Sequence, residues 1–208
     1  VEDKCKYSGR DPKSFLSLDE VLKMDDISGE NGRFVRVITA ANGKKAFLRI
    51  YKDNHVYPYE SQISTALKTL LQEAPMVGFV TGHKERSGMD MGEKGYGTFA
   101  SNKTFRYSLE NSGYGVREIS LEHPVAEDIN IIVLADMRSD FTEEEFRNFD
   151  AYLERGGNLF ILGEPKRQQF MNPVIERLGL RFADGIIVSP SEVNLDDLVA
   201  ANIKEGAA

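Results

Sequence analysis

The chain of 208 residues is 41% hydrophobic and 28% charged, which is typical of a globular protein and excludes a disordered one. Its formal net charge of -7 argues against nucleic-acid binding, because an acidic chain repels the phosphate backbone. A single cysteine, Cys5, excludes an internal disulfide and a cysteine-rich metal site. No stretch is apolar and long enough to span a bilayer, and no signal-peptide pattern is present at Val1. Because the chain does not begin with Met, we interpret it as a piece of a larger protein.

The first 74 residues carry signals for a short helix, a hairpin and a longer helix. Ser17 and Glu20 have the spacing of a capping box, which predicts a helix start. Two β-like runs at 33–39 and 44–51 are separated by an Asn-Gly pair, which is typical of a hairpin. Apolar residues at helical spacing then predict an amphipathic helix, and they are Ile63, Ala66, Leu67, Leu70 and Leu71. We expect residues 1–74 to form a small subdomain.

From residue 75 onward, predicted strands and helices alternate. The strands are expected at 76–81, 115–121, 129–135, 158–162 and 182–188. The helices are expected at 104–111, from a capping box at Thr142 to Gly156, and from a cap at Asn172 followed by Pro173. Such alternation predicts an α/β fold, with a mostly parallel sheet and helices on both faces, over residues 75–208. The hairpin and first long helix are expected in addition to this sheet.

Three loops follow predicted parallel strands, and ligands bind at such strand ends in open parallel sheets. The candidate ligand- or partner-binding residues on these loops are Thr81, Gly82, His83, Glu85, Arg86, Asp136, Arg138, Ser139, Glu164 and Lys166. Arginine forks suit a carboxylate or phosphate, and mixed Asp and Arg suit a sugar. The alternative is that these charges are solvated or paired, as on any surface loop.

The known catalytic and cofactor patterns are missing from the sequence. There is no Gly-x-Ser-x-Gly elbow after any strand, and the glycines at 92, 95 and 97 do not form a Walker or dinucleotide motif. His83 and Glu85 offer only two ligands for a metal. We therefore predict no catalytic residue, no cofactor and no metal. The opposing hypothesis is a degenerate hydrolase in which Ser139 faces His83.

Three segments resemble the GldG-like ABC-transporter auxiliary family. Residues 77–85 read VGFVTGHKE and resemble the family's opening strand and Thr-Gly-His-x-Glu loop. Residues 139–159 resemble its Ser-Asp start, acidic helix and Gly-Gly stop, and residues 113–121 resemble the strand between them. The similarity extends over roughly residues 47–190, and its strength lies in the order and spacing of the motifs.

The resemblance implies a flavodoxin-like or class I glutamine-amidotransferase-like fold. It implies a membrane-anchored parent protein with this domain on the extracytoplasmic (periplasmic) side of the bacterial inner membrane. The implied partners are ABC permease and ATPase subunits, in export or, in Bacteroidetes-type bacteria, in gliding motility. The family offers no catalytic residues to carry over, and the amidotransferase cysteine is missing here. We interpret the chain as a non-enzymatic accessory domain that binds a small polar ligand or a partner protein. The alternatives are a degenerate hydrolase or amidotransferase-like enzyme, and a structural spacer.

Overall fold

The computed structural model describes most of the chain as two compact units, Val1–Leu71 and Gln72–Ala208. The described residues are 9–190 without 31, 34, 52, 54 and 56, together with 192, 193, 195 and 199. In this described part, no helix is long and apolar enough to cross a membrane.

The first unit contains two helices and a hairpin, as the sequence predicts. Its elements are α1 (Leu18–Met24), β1 (Val35–Thr39), β2 (Lys45–Arg49) and α2 (Glu60–Leu71). Both halves of the predicted capping box form at the start of α1, between Ser17 and Glu20. The two strands pair antiparallel, and Gly43 in the turn adopts a left-handed φ of 83° that only glycine takes without strain.

Helix α2 packs on the hairpin through one part of its predicted apolar stripe. Ala66 and Leu70 are buried and form a small core with Ala46 of β2. In contrast, Ile63, Leu67 and Leu71 remain exposed. The amphipathic helix is therefore confirmed, while its buried face is narrower than the sequence pattern indicates.

The second unit is an α/β domain built on a four-stranded, all-parallel sheet. Its elements are β3 (Met76–Val80), α3 (Gly97–Ala100), β4 (Gly115–Ile119), β5 (Ile129–Ala135), α4 (Glu143–Glu154), β6 (Asn158–Leu162) and α5 (Gln168–Ile175). The strand order is β4-β3-β5-β6, and each neighbouring pair is parallel. The predicted fold class is confirmed.

The two faces of this sheet are covered differently. On one face, Ile132 and Leu134 of β5 pack against Phe149 and Tyr152 of α4, and Met171 of α5 joins the same core. These side chains are almost completely inaccessible to solvent, which makes this face the main hydrophobic core of the domain.

The opposite face has a smaller core. Val77, Phe79 and Val133 pack against Ala100 of the four-residue helix α3. This short helix and the turns after it leave an apolar groove of about 410 Å³ over the sheet, beside the half-exposed rings of Phe99 and Phe160.

The helix predicted at 104–111 is wrong, because the segment forms turns that end in a 3-10 helix at Glu110–Ser112. The reason is the buried side chain of Asn111. Its Nδ2 donates to the carbonyl oxygens of Phe105 at 2.7 Å and of Lys103 at 3.2 Å. These carbonyls are thereby bound by a side chain instead of by the N–H groups of a helix.

The predicted cap at Asn172 and strand at 182–188 are also wrong, and for one shared reason. Asn172 lies inside α5, where its Oδ1 accepts from the N–H of Phe182 at 2.9 Å and its Nδ2 donates to the Phe182 carbonyl at 3.2 Å. These bonds occupy the side chain that was expected to cap the helix. They also hold Phe182 beside α5 instead of in a strand, and residues 184–188 are exposed.

Candidate ligand-binding site

The strand order places one switch point at the carboxyl edge of the sheet. From β3 the chain continues to β4 on one side, and from β5 it continues to β6 on the other. Ligands in open α/β sheets bind where the strand order reverses in this way, here between the ends of β3 and β5. Backbone hydrogen bonds join the two loops at this point, from Arg138 to His83 at 2.9 Å and from Arg86 to Ala135 at 3.1 Å.

The backbone of these strand-end loops is strained at three positions. Lys84, Asp136 and Lys166 have left-handed φ values of 59°, 57° and 66°. They are the non-glycine residues with positive φ in the part of the chain that the structure describes, and each follows a different strand. Such strain persists only when surrounding contacts enforce it, and it is concentrated at functional sites in proteins.

His83 lies inside a buried cluster at this edge. It is 6% exposed, and both of its ring nitrogens face carboxylates. Nδ1 is 3.0 Å from Glu85 Oε1 and Nε2 is 3.2 Å from the carboxylate of Glu145. The two glutamate side chains are themselves almost fully buried. Both ring nitrogens therefore have a carboxylate within hydrogen-bond distance, and neither is left to contact a ligand.

The same cluster fixes the start of α4. Glu145 completes the capping box that the sequence predicts, because its Oε2 accepts from the N–H of Thr142 at 2.7 Å and from the Thr142 hydroxyl at 2.8 Å. Burial alone raises the pKa of Glu145, but these hydrogen bonds and the charge of His83 outweigh burial and hold that pKa below its ordinary value. The ring of Phe141 packs edge-on against His83 at 4.9 Å. The cluster therefore fastens the loop after β3 to the helix after β5.

A basic pocket opens beside this cluster. Its volume is about 550 Å³, within the range of small-molecule sites. The lining residues are Arg86, Lys94, Arg138, Glu164, Pro165, Lys166 and Arg167. Five cationic side chains thus surround one carboxylate, in a chain whose overall charge is negative. This arrangement suits an anionic ligand.

Arg86 is held in the pocket wall by an acid on each side. Its Nε lies 2.8 Å from Asp136 Oδ2, and its Nη2 donates to Glu164 Oε1 at 2.5 Å. Burial raises the pKa of Asp136 above its ordinary value, although the Arg86 charge opposes that rise. The hydroxyl of Tyr96 donates to Asp136 Oδ2 at 3.3 Å. Arg86 is therefore already paired and its orientation is fixed.

Arg138 and Arg167 approach Glu164 without hydrogen-bonding to it. Arg138 Nη2 is 3.6 Å and Arg167 Nε is 3.7 Å from Glu164 Oε2. Among the described residues, the buried Nε atoms of both arginines and Glu164 Oε2 have no hydrogen-bond partner. Lys94 and Lys166 form no ion pair with any described carboxylate. The pocket consequently holds more hydrogen-bond donors than acceptors.

The structure distributes the predicted site residues over two places. Arg86, Arg138, Glu164 and Lys166 line the pocket, and Asp136 lies behind Arg86. The other five lie outside the pocket lining, and they are Thr81, Gly82, His83, Glu85 and Ser139. Of these, Thr81 donates to the carbonyl of Ile119 at 3.2 Å, and Gly82 is exposed.

Lys94 was not found by sequence reasoning. It lies in the glycine-rich segment 88–97, which does not follow a strand directly, so the strand-end rule gave no signal for it. Glu145 was recognised only as a cap, because nothing local indicates its second bond to His83, 62 residues away.

The geometry does not form the nucleophile and base of a hydrolase at this edge. Both ring nitrogens of His83 are engaged by carboxylates, and no hydrogen bond joins the ring to Ser139 in the described structure. The described residues also contain no cluster of three or more histidine, cysteine or acidic side chains arranged to hold a metal ion.

Comparison with models of protein families identifies the family of the chain. A family model described as an ABC-type uncharacterized transport system matches residues 74–200, which is more than half of the chain. The match covers the parallel sheet and all of the loops that form the pocket. No curated protein and no solved structure matches the chain. The chain therefore belongs to this family of ABC-type transport-system auxiliary proteins.

Proposed function

We propose that the chain is an accessory domain of an ABC-type transport system that recognises an anionic ligand in the basic pocket. The observation that carries the proposal is the surplus of cationic donors at the switch point of the sheet. Arg138 and Arg167 present buried nitrogens without acceptors, and Lys94 and Lys166 are not neutralised by a described carboxylate. A carboxylate or phosphate oxygen meets both needs, because arginine and lysine pair with such groups through charge-assisted hydrogen bonds.

The strained loops support a binding role for this edge. Asp136 and Lys166 hold left-handed conformations directly behind and beside the pocket. The buried His83 cluster fixes the loop that carries Arg86, so the pocket wall is rigid before a ligand arrives. A site that is already ordered loses less conformational entropy on binding. We assign His83 and Glu85 to this supporting role, and Arg138, Lys166 and Arg167 to direct contact with the ligand.

Calorimetric titration of the chain tests this function. The probes are inorganic pyrophosphate and citrate, with a neutral sugar as the uncharged comparison. We expect both anions to bind with an affinity that falls as salt is added, and the sugar not to bind. Replacement of Arg138 by alanine is expected to weaken anion binding by about tenfold or more.

Arg147 provides the matched control for this experiment. It is an exposed arginine on α4, paired with Glu144 on its own helix, and it is not among the residues that line the pocket. An Arg147→Ala variant makes the same change in net charge and is expected to keep the wild-type affinity. The absence of anion binding up to millimolar concentrations, or an equal loss in both variants, contradicts the proposal.

The cellular setting is a further part of the proposal. The resemblance to the GldG-like family supports a place on the periplasmic side of the inner membrane, with an ABC permease and ATPase as partners in export or gliding motility. Reporter fusions at either end of the chain, within the full-length parent protein, test the location. Co-purification of the permease with the parent protein tests the partner, and a cytoplasmic reporter signal contradicts the assignment.

A further inference from the structure

Glu164 is the one acidic side chain in the wall of the basic pocket. Its Oε1 is bound tightly by Arg86 at 2.5 Å, while its Oε2 remains at 3.6 Å from Arg138 and 3.7 Å from Arg167. The carboxylate thus stands where three guanidinium groups converge but satisfies only one of them. A bound carboxylate from a ligand would make the same kind of contacts from the same position.

The carboxylate is accessible from the pocket. The Glu164 side chain is 31% exposed and lies on the short loop between β6 and α5. Three positive groups lower its pKa against the opposing effect of burial, so the side chain is ionised at neutral pH. An anion that enters the pocket therefore meets a negative charge at the point of greatest donor density.

We propose that Glu164 is a built-in competitor, and that a small, multiply charged oxyanion binds by taking its place among Arg86, Arg138 and Arg167. This inference rests on the proposed function, since it concerns the same pocket. A ligand with a single carboxylate only replaces one such group by another. A ligand with two or more negative charges also pairs with Lys94 and Lys166, which the Glu164 side chain does not neutralise. The competitor thereby selects for polyanions of the phosphorylated or polycarboxylated type.

Substitution of Glu164 by glutamine separates competition from simple support of the pocket. Competition predicts that Glu164→Gln binds pyrophosphate or citrate about tenfold more tightly than the wild type, because a like charge is removed from the binding position. The wild-type affinities for the two probes show whether the site prefers phosphoryl or carboxylate oxygens. A Glu164→Gln affinity equal to or weaker than the wild-type affinity overturns the inference.

Two further variants make the result specific. Glu154→Gln, on the exposed end of α4, changes the net charge equally and is expected to leave the affinity unchanged. Glu164→Asp keeps the negative charge, but its shorter side chain withdraws the carboxylate from the arginines. If the Glu164 carboxylate competes by occupying the anion position, the Asp variant is also expected to bind the anion more tightly than the wild type. Wild-type affinity in the Asp variant would show that the Glu164 carboxylate does not occupy the anion position. A denaturation curve for each variant confirms that it is folded before it is titrated.

The outcomes also distinguish this inference from the proposed function. Wild-type binding that Arg138→Ala weakens, together with no gain in Glu164→Gln, overturns the competitor and leaves the anion site in place. Binding by Glu164→Gln but not by the wild type contradicts both, because no anion then displaces the Glu164 carboxylate in the natural protein. The absence of binding in both proteins contradicts both.

Discussion

Two polar clusters lie at the same edge of the sheet and differ in how their charges are balanced. In the His83 cluster, each ring nitrogen faces a buried carboxylate, and Glu145 also accepts two bonds from Thr142. In the basic pocket, Arg138 and Arg167 have buried donors without acceptors. The first cluster is complete without a ligand and the second is not. Neighbouring loops of similar composition can thus differ, one with its hydrogen bonds formed within the protein and one with donors left unpaired.

The largest expected difference between the two clusters is in how much a substitution lowers the stability of the protein. Replacement of His83 by alanine removes the imidazole that faces the buried carboxylates of Glu85 and Glu145, and these keep only their hydrogen bonds from backbone N–H groups and from the Thr142 hydroxyl. We expect the loss of the imidazole to lower the free energy of unfolding by about 3 kcal/mol. Urea denaturation measures the change. His123→Ala is the matched control, because His123 is exposed on the connection between β4 and β5. A loss below about 1 kcal/mol would show that the His83 cluster does not hold the loop.

A smaller effect is expected at the cap of α4, which belongs to the same cluster. Thr142→Ala removes the hydroxyl that donates to Glu145 and accepts from its N–H, and we expect a loss of about 1 kcal/mol in the same denaturation experiment. Thr142→Ser keeps the hydroxyl and is expected to retain most of the wild-type stability. If serine and alanine are equally destabilising, the capping bond is not the cause.

The pH dependence of stability gives a third distinction. Because the pKa of folded Glu145 lies below its ordinary value, its ionised form stabilises the native state above that value, and this contribution is lost as the pH falls through the folded pKa. The stability difference between the wild type and Glu145→Gln is therefore expected to shrink on acidification from about pH 7 to about pH 3. Denaturation midpoints across this range measure it. A constant difference would rule out the charge of Glu145 as the source.

The smallest effect on stability is expected in the pocket. Arg138 is partly exposed and has no short ion pair, so Arg138→Ala is expected to change the free energy of unfolding by less than about 0.5 kcal/mol. The same variant is expected to lose anion binding, which reverses the pattern of His83→Ala. A destabilisation as large as that of His83→Ala would make the pocket a structural ion-pair network instead of a binding site.

Local sequence signals predicted most of the fold. The capping boxes at Ser17 and Thr142 form as predicted, and β5 occupies the predicted range Ile129–Ala135. Where the prediction was wrong, an asparagine side chain bonds to backbone groups that are not its partners in a regular helix. Asn111 binds carbonyls six and eight residues before it, and Asn172 binds the backbone of Phe182, ten residues after it. The local patterns of apolar residues and caps contain no information about such bonds.

The sequence predicted the edge of the sheet at which the candidate site lies, but not which side chains line the pocket. The strand-end rule selected the loops that carry Arg86, Arg138 and Glu164, and the structure brings these three side chains together. The strand-end rule did not distinguish these three residues from His83. His83 is equally polar in the sequence, but in the structure it is buried and bound to Glu145. Whether a side chain on these loops is buried depends on the helix that covers the loop. For His83 this helix is α4, and its position follows from its packing on the sheet.

The sequence separation within the two clusters has a consequence for the order of folding. The contact between His83 and Glu145 closes a segment of 62 residues, and the contact between Arg86 and Glu164 closes one of 78. Non-local contacts form late, because chain closure must precede them. As the chain emerges during synthesis, the supporting cluster can close as soon as α4 is available, whereas the pocket waits for β6 and the loop after it. We therefore expect the contact between His83 and Glu145 to form before the last part of the proposed binding surface is synthesised.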